Sequence, residues 1–194
     1  MDPTSAVRTD ALPAIATVIA PGAFASTPYV WATIATHSEV SGFLNQHEAI
    51  TVAAAILLWT ATGFAIDSAG TYLEYHRIDQ QRNDRADFTE TWWQFLRTAW
   101  TIEPVGHRYL RRLLVSFKFE LNMCVAVMVA TPGLLLLAAY QQVSWGRGAI
   151  GSIVMMIAAY VLFRAARTSS GVLADTRRHL VQGVTVRPTE SNAQ

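Results

Sequence analysis

Asp67, Glu74, His76 and Asp79 lie along a chain segment that is otherwise mostly apolar or small. Carboxylates and an imidazole are the groups that exchange protons near neutral pH or hold a divalent ion, and three- or four-residue spacings gather them on one helical face. Asp67, Gly70 and Glu74 fall near one such face, and His76 and Asp79 are three residues apart. One chemistry these residues allow is acid/base or metal-assisted catalysis by Glu74, His76 and Asp79 on a lipid or phosphate-bearing substrate. The spacing does not favour a metal. The sequence contains no His-x-x-x-His or Glu-x-x-His pair, no phosphate loop and no Gly-x-Ser-x-Gly elbow, so neither metal nor cofactor is expected. Cys124 is the single cysteine, which removes intrachain disulfides and thiol exchange from consideration.

A second group of charges lies further along. Lys118 and Glu120 are two residues apart and point to different sides of a helix, so Lys118 is free to reach Asp67 or Glu74. With Asn122 continuing the same polar stretch, Asp67, Glu74, Lys118 and Glu120 read as a charged entrance where helices enter an apolar layer. Arg108, Arg111 and Arg112 precede it, and guanidinium groups at such a boundary suit the phosphates of anionic lipids.

The elements that would position these groups are membrane helices. Uncharged runs extend over Ala11–Ser38, Ala49–Ile66 and Leu121–Gly146, with a fourth over Gly148–Phe163. About 20 apolar residues cross a ~30 Å hydrocarbon layer, so the expected fold is all-α, a single membrane domain over residues 1–194. It is a four-span helical bundle with spans near 14–36, 48–70, 113–140 and 147–166. The first run also has features of a secretory leader, with Pro21-Gly22 and the small residues Ala23 and Ala25 around Phe24. Apolar character resumes through Tyr29, Val30, Trp31 and Ile34, which favours a retained, proline-kinked span. Ala61, Ala65 and Ala69 recur every fourth residue, and Gly148 and Ser152 follow the same spacing, so both sets are expected helix-packing faces. Thr131-Pro132-Gly133 is expected to interrupt the third span.

Between the second and third spans, residues 75–110 form an expected cytoplasmic segment. Its stretch Phe88–Trp100 carries an apolar helical face with Trp92, Trp93 and Trp100 as anchors at the headgroup boundary. Glu103-Pro104-Val105-Gly106 reads as the turn that ends it. Residues 167–194 form a cytoplasmic tail, with a short amphipathic helix after Gly171 that stops at Gly183.

Charge distribution sets the orientation. The chain is 52% hydrophobic and 15% charged, with net charge +1, well below the ~25% charged residues of soluble domains. Every Lys and Arg except Arg147 falls on one side of the four expected spans, which places both termini in the cytoplasm of a bacterial inner (plasma) membrane. Acids are interleaved with the arginines, so nucleic acid is not an expected partner. The expected partners are the bilayer and its anionic lipids, further copies of the chain, and a cytoplasmic protein. The expected activity is non-enzymatic: an oligomeric pore, channel or membrane-perturbing effector, or the membrane subunit of a larger assembly such as a defence system. Catalysis by Glu74, His76 and Asp79 is the alternative. In a Cys124→Ser background, Arg85→Cys should resist an impermeant thiol reagent applied outside intact cells and react after lysis; labelling from outside reverses the topology.

Overall fold

The computed structural model describes residues 15–79, 105–140 and 143–185. Among them every regular element is helical. A π-helical turn, Ile15–Ile19, leads into α1 (Ala20–Thr36), followed by α2 (Ser38–Gln46) and α3 (Glu48–Leu73). A second π turn, Glu74–Asp79, extends α3; α4 (Val105–Ala139) and α5 (Trp145–Thr185) complete the chain. Three stretches are long and apolar enough to cross a membrane: Glu48–Ile78, Tyr109–Ala139 and Trp145–Thr176. With 17 residues, α1 is about 26 Å long and falls short of a full span without the turn before it.

The central element is α4. It packs on α1, α3 and α5, whereas α3 and α5 make no extensive contact with each other. The apolar stretch of α4 is 56% buried, against 11% for each of the other two. Phe117 and Leu121 of α4 form a cluster with Ala166 of α5 and Ile78 beyond α3. Leu57, Phe64, Ile150 and Tyr160 on the outer helices are 61–71% exposed. In a bilayer such side chains rest against lipid tails, so apolar burial no longer drives helices together; close packing and hydrogen bonds do.

Glycine supplies the close packing. A β-carbon at Gly22 of α1 would overlap the Trp59 carbonyl oxygen and the Gly63 backbone of α3, and one at Gly63 would overlap the Val18 carbonyl. Here two helix backbones touch at a crossing where no side chain fits. Gly133 of α4 faces Pro28 and Tyr29 of α1, and a β-carbon on Gly148 of α5 would stand 2.9 Å from that of Ala138 on α4.

Hydroxyl groups bond to the backbone beside two of the prolines. Ser26 Oγ donates to the Gly22 carbonyl at 2.9 Å and Thr27 Oγ1 to that of Ala23 at 2.6 Å, in the turn before Pro28. Bonds of this type bend helices without breaking them. The interruption expected at Thr131-Pro132-Gly133 is not a break, because α4 runs through it. The Tyr29 hydroxyl donates to the Val129 carbonyl at 2.7 Å, beside the turn that Pro132 weakens.

Residues 38–46 form α2, whose residues are exposed or half-buried. Two other expectations change. Val105 and Gly106 belong to α4 instead of a turn, and α5 passes through Gly171 and Gly183 as one helix. A glycine inside a helix costs only about 1 kcal/mol. Packing of Ala166 and Ser170, 0% and 4% exposed, supports α5 up to Gly171. The tryptophan segment 88–100 lies outside the described residues, as does the chain beyond 185. Gly22→Leu and Gly63→Leu should each cost about 1–3 kcal/mol or more in detergent unfolding followed by helical circular dichroism. Gly42→Ala, where a β-carbon meets nothing within 4 Å, should be neutral or gain up to about 1 kcal/mol.

Candidate functional site

Proline at position 21 has no N–H, so the carbonyl four residues earlier, at Thr17, has no α-helical donor. The Asn122 amide of α4 fills that role. Its Nδ2 donates to the Thr17 carbonyl at 2.7 Å and to Asp67 Oδ1 of α3 at 2.9 Å. Because both neighbours are acceptors, the orientation of the amide is fixed. Asn122 is 0% exposed, and one buried side chain thus joins the π turn before α1, α3 and α4.

Helical spacing continues the arrangement. On α4, Lys118 lies one turn before Asn122; on α3, Thr71 and Glu74 follow Asp67 at four and seven residues, about 10 Å along the axis. Lys118 Nζ meets Glu74 Oε2 at 2.7 Å and donates to Thr71 Oγ1 at 3.3 Å. Both members of this ion pair are about one-quarter exposed, at 27% and 24%. The result is a polar seam between α3 and α4 with two rungs, one charged and one built on an amide.

Glu120 is not part of that seam. It sits on the opposite flank of α4, where Oε2 accepts from Ser169 of α5 at 2.8 Å and Oε1 from Ser116 at 3.2 Å. The structure therefore separates the four residues of the expected entrance. Asp67, Glu74 and Lys118 share the α3–α4 seam, and Glu120 faces α5.

The alternative catalytic group is also divided. Glu74 is engaged by Lys118, while the His76 ring packs at a 49° tilt against Tyr72, with centroids 4.2 Å apart, and meets Tyr75 edge-on at 5.2 Å. The side chains of Asp79 and Arg108 lie outside the described part, as do Trp92, Trp93 and Trp100; Arg111 and Arg112 are exposed near the start of α4. Among the described residues no group of three or more His, Cys, Asp or Glu side chains converges on a metal position. Cys124 is buried and its thiol donates to the Ala159 carbonyl of α5 at 3.3 Å. On the packing faces, Ala61, Ala65 and Ala69 are exposed, and the glycines Gly63 and Gly70 of α3 are buried in their place. Gly148 is buried against α4, and Ser152 Oγ donates back to its carbonyl at 2.9 Å.

The chain matches no protein-family model, no curated protein and no solved structure.

Sequence reasoning passed over Thr17, Tyr29 and Ser169 as partners. Proline positions carried a signal for the first, because each proline releases the carbonyl four residues upstream. Serine or tyrosine partners on a distant helix have no local signature. The seam sets an ion pair one helical turn from a buried amide between two largely apolar helices. Asn122→Ala should destabilise the protein by about 1–3 kcal/mol, since it removes the two hydrogen bonds that this amide donates, to the Thr17 carbonyl and to Asp67. A double-mutant cycle with Lys118→Met and Glu74→Gln should return a coupling of about 0.5–3 kcal/mol, and a coupling of zero would show the ion pair to be inert.

Proposed function

We propose that this chain is a four-span helical bundle of a bacterial inner membrane, with both termini cytoplasmic, that works by self-association and without catalysis. In assembled form it acts as a pore-like or membrane-perturbing effector. The observation that carries this reading is the exposure of Ala61, Ala65 and Ala69 on α3. A membrane helix whose small-residue row is unused inside its own protomer can bring another backbone close. The polar groups of one protomer close on each other through Asn122–Asp67 and Lys118–Glu74. A path for ions therefore forms between copies, on the face of α3 opposite Asp67 and Glu74, which are turned toward α4. Arg108, Arg111 and Arg112 hold anionic headgroups at the cytoplasmic boundary.

Catalysis by Glu74, His76 and Asp79 is the weaker reading, because Glu74 is tied to Lys118 and His76 to two tyrosines. Ala65→Leu should shift the cross-linked species in detergent toward monomer and lower dye release from anionic-lipid vesicles by several-fold. A wild-type protein that is monomeric and leaves vesicles and planar bilayers impermeable sinks the proposal.

A further inference from the structure

Asn122 Oδ1 is the one buried side-chain oxygen or nitrogen without a hydrogen-bond partner among the described residues. Its position is closed by Gly70 of α3, where a β-carbon would overlap it. It thus faces α3 one turn beyond Asp67, the residue that already accepts from the Nδ2 of the same amide. A buried acceptor with no donor costs about 1–3 kcal/mol, and its neighbour on α3 is the group able to acquire a donatable hydrogen.

Charge at the seam points the same way. Two carboxylates, Asp67 and Glu74, face one ammonium, Lys118, and the ammonium is taken by Glu74 at 2.7 Å. No ion pair with Asp67 is formed among the described residues. Its facing groups are Thr71 and Glu74 on α3, Lys118 and Asn122 on α4, and the uncharged Thr17 before α1; Glu120 and His76 are directed to Ser169 and to Tyr72 and Tyr75. One negative charge is left without compensation beside an apolar layer.

We propose that Asp67 and Asn122 form a proton-binding site. A proton from water adds to the second carboxyl oxygen of Asp67, and rotation about the Cβ–Cγ bond presents this O–H to Asn122 Oδ1. The acid and the primary amide then pair through two antiparallel hydrogen bonds, O–H to Oδ1 and Nδ2–H to Oδ1 of Asp67. Uptake brings the seam to neutrality and satisfies the orphaned oxygen in the same step. The proton is thereby coupled to the hold that Asn122 exerts on the π turn before α1. The site belongs to a single protomer and does not depend on self-association.

An amide at position 67 reproduces the two-bond pair without a proton, which makes Asp67→Asn decisive. At near-neutral pH, D67N reconstituted in lipid nanodiscs should melt about 2–4 °C above the wild type. The gap should close as the buffer is acidified and the wild type takes up its proton. Infrared difference spectra of the wild type, with carboxyl-labelled aspartate, should show a protonated-carboxyl band on acidification that shifts in N122A. A D67N protein that melts at or below the wild type at neutral pH overturns the proposal, as does an acidification spectrum whose aspartate band is unchanged by N122A. The spectral measurement stands even if D67N fails to fold.

Discussion

Polar backbone groups that solvent cannot reach need partners within the fold, and Pro21 has no N–H to offer the Thr17 carbonyl. Asn122 reaches it from α4, and the second hydrogen of the same amide is then directed at Asp67 on α3. Gly70 has to be glycine for the amide to lie flat against α3. The π turn at Ile15–Ile19 fits the same logic, since a widened turn just before a proline changes which carbonyls need partners. Three segments distant in the sequence are held in one relative register by a single side chain.

Elsewhere the same solvent sets the terms. Apolar side chains gain little by moving from lipid to protein, and α3 and α5 accordingly leave most of their large residues outward. Glycine-mediated crossings and hydrogen bonds across helices supply the specificity instead. Gly22 with Gly63 fixes α1 on α3, Gly133 fixes α1 on α4, and Gly148 fixes α5 on α4. Tyr29, whose hydroxyl reaches the Val129 carbonyl, adds a second cross-helix bond to the backbone of α4, close to Pro132.

The charged groups divide according to the face of α4 they occupy. Lys118 and Asn122 look toward α3, Ser116 and Glu120 toward α5, and the two sets do not mix. Consequently the seam with α3 holds an ion pair together with a lone carboxylate, whereas the contact with α5 holds a carboxylate served by two hydroxyls. Asp67 is the carboxylate of the seam that has no ion-pair partner among the described residues, and it adjoins the unsatisfied Asn122 Oδ1.

Helical class, three apolar helices of membrane-spanning length and the polar character near Asp67, Glu74 and Lys118 were legible in the sequence, because hydrocarbon thickness and the cost of burying charge act on local composition. Even the choice of Lys118 between Asp67 and Glu74 was bounded by reach along a helix. The small-residue row was legible too, but not its use: Ala61, Ala65 and Ala69 turn outward while Gly63 and Gly70 carry the internal contact. Those two rows lie roughly 150° apart around the helix, and periodicity contains no information about which of them faces the neighbouring helices. The pairings of Asn122 with Thr17 and of Glu120 with Ser169 span 105 and 49 residues. Such bonds depend on the depth and rotation of one helix against another, set by backbone contact at glycines and by carbonyls that prolines release, and tertiary structure alone decides them.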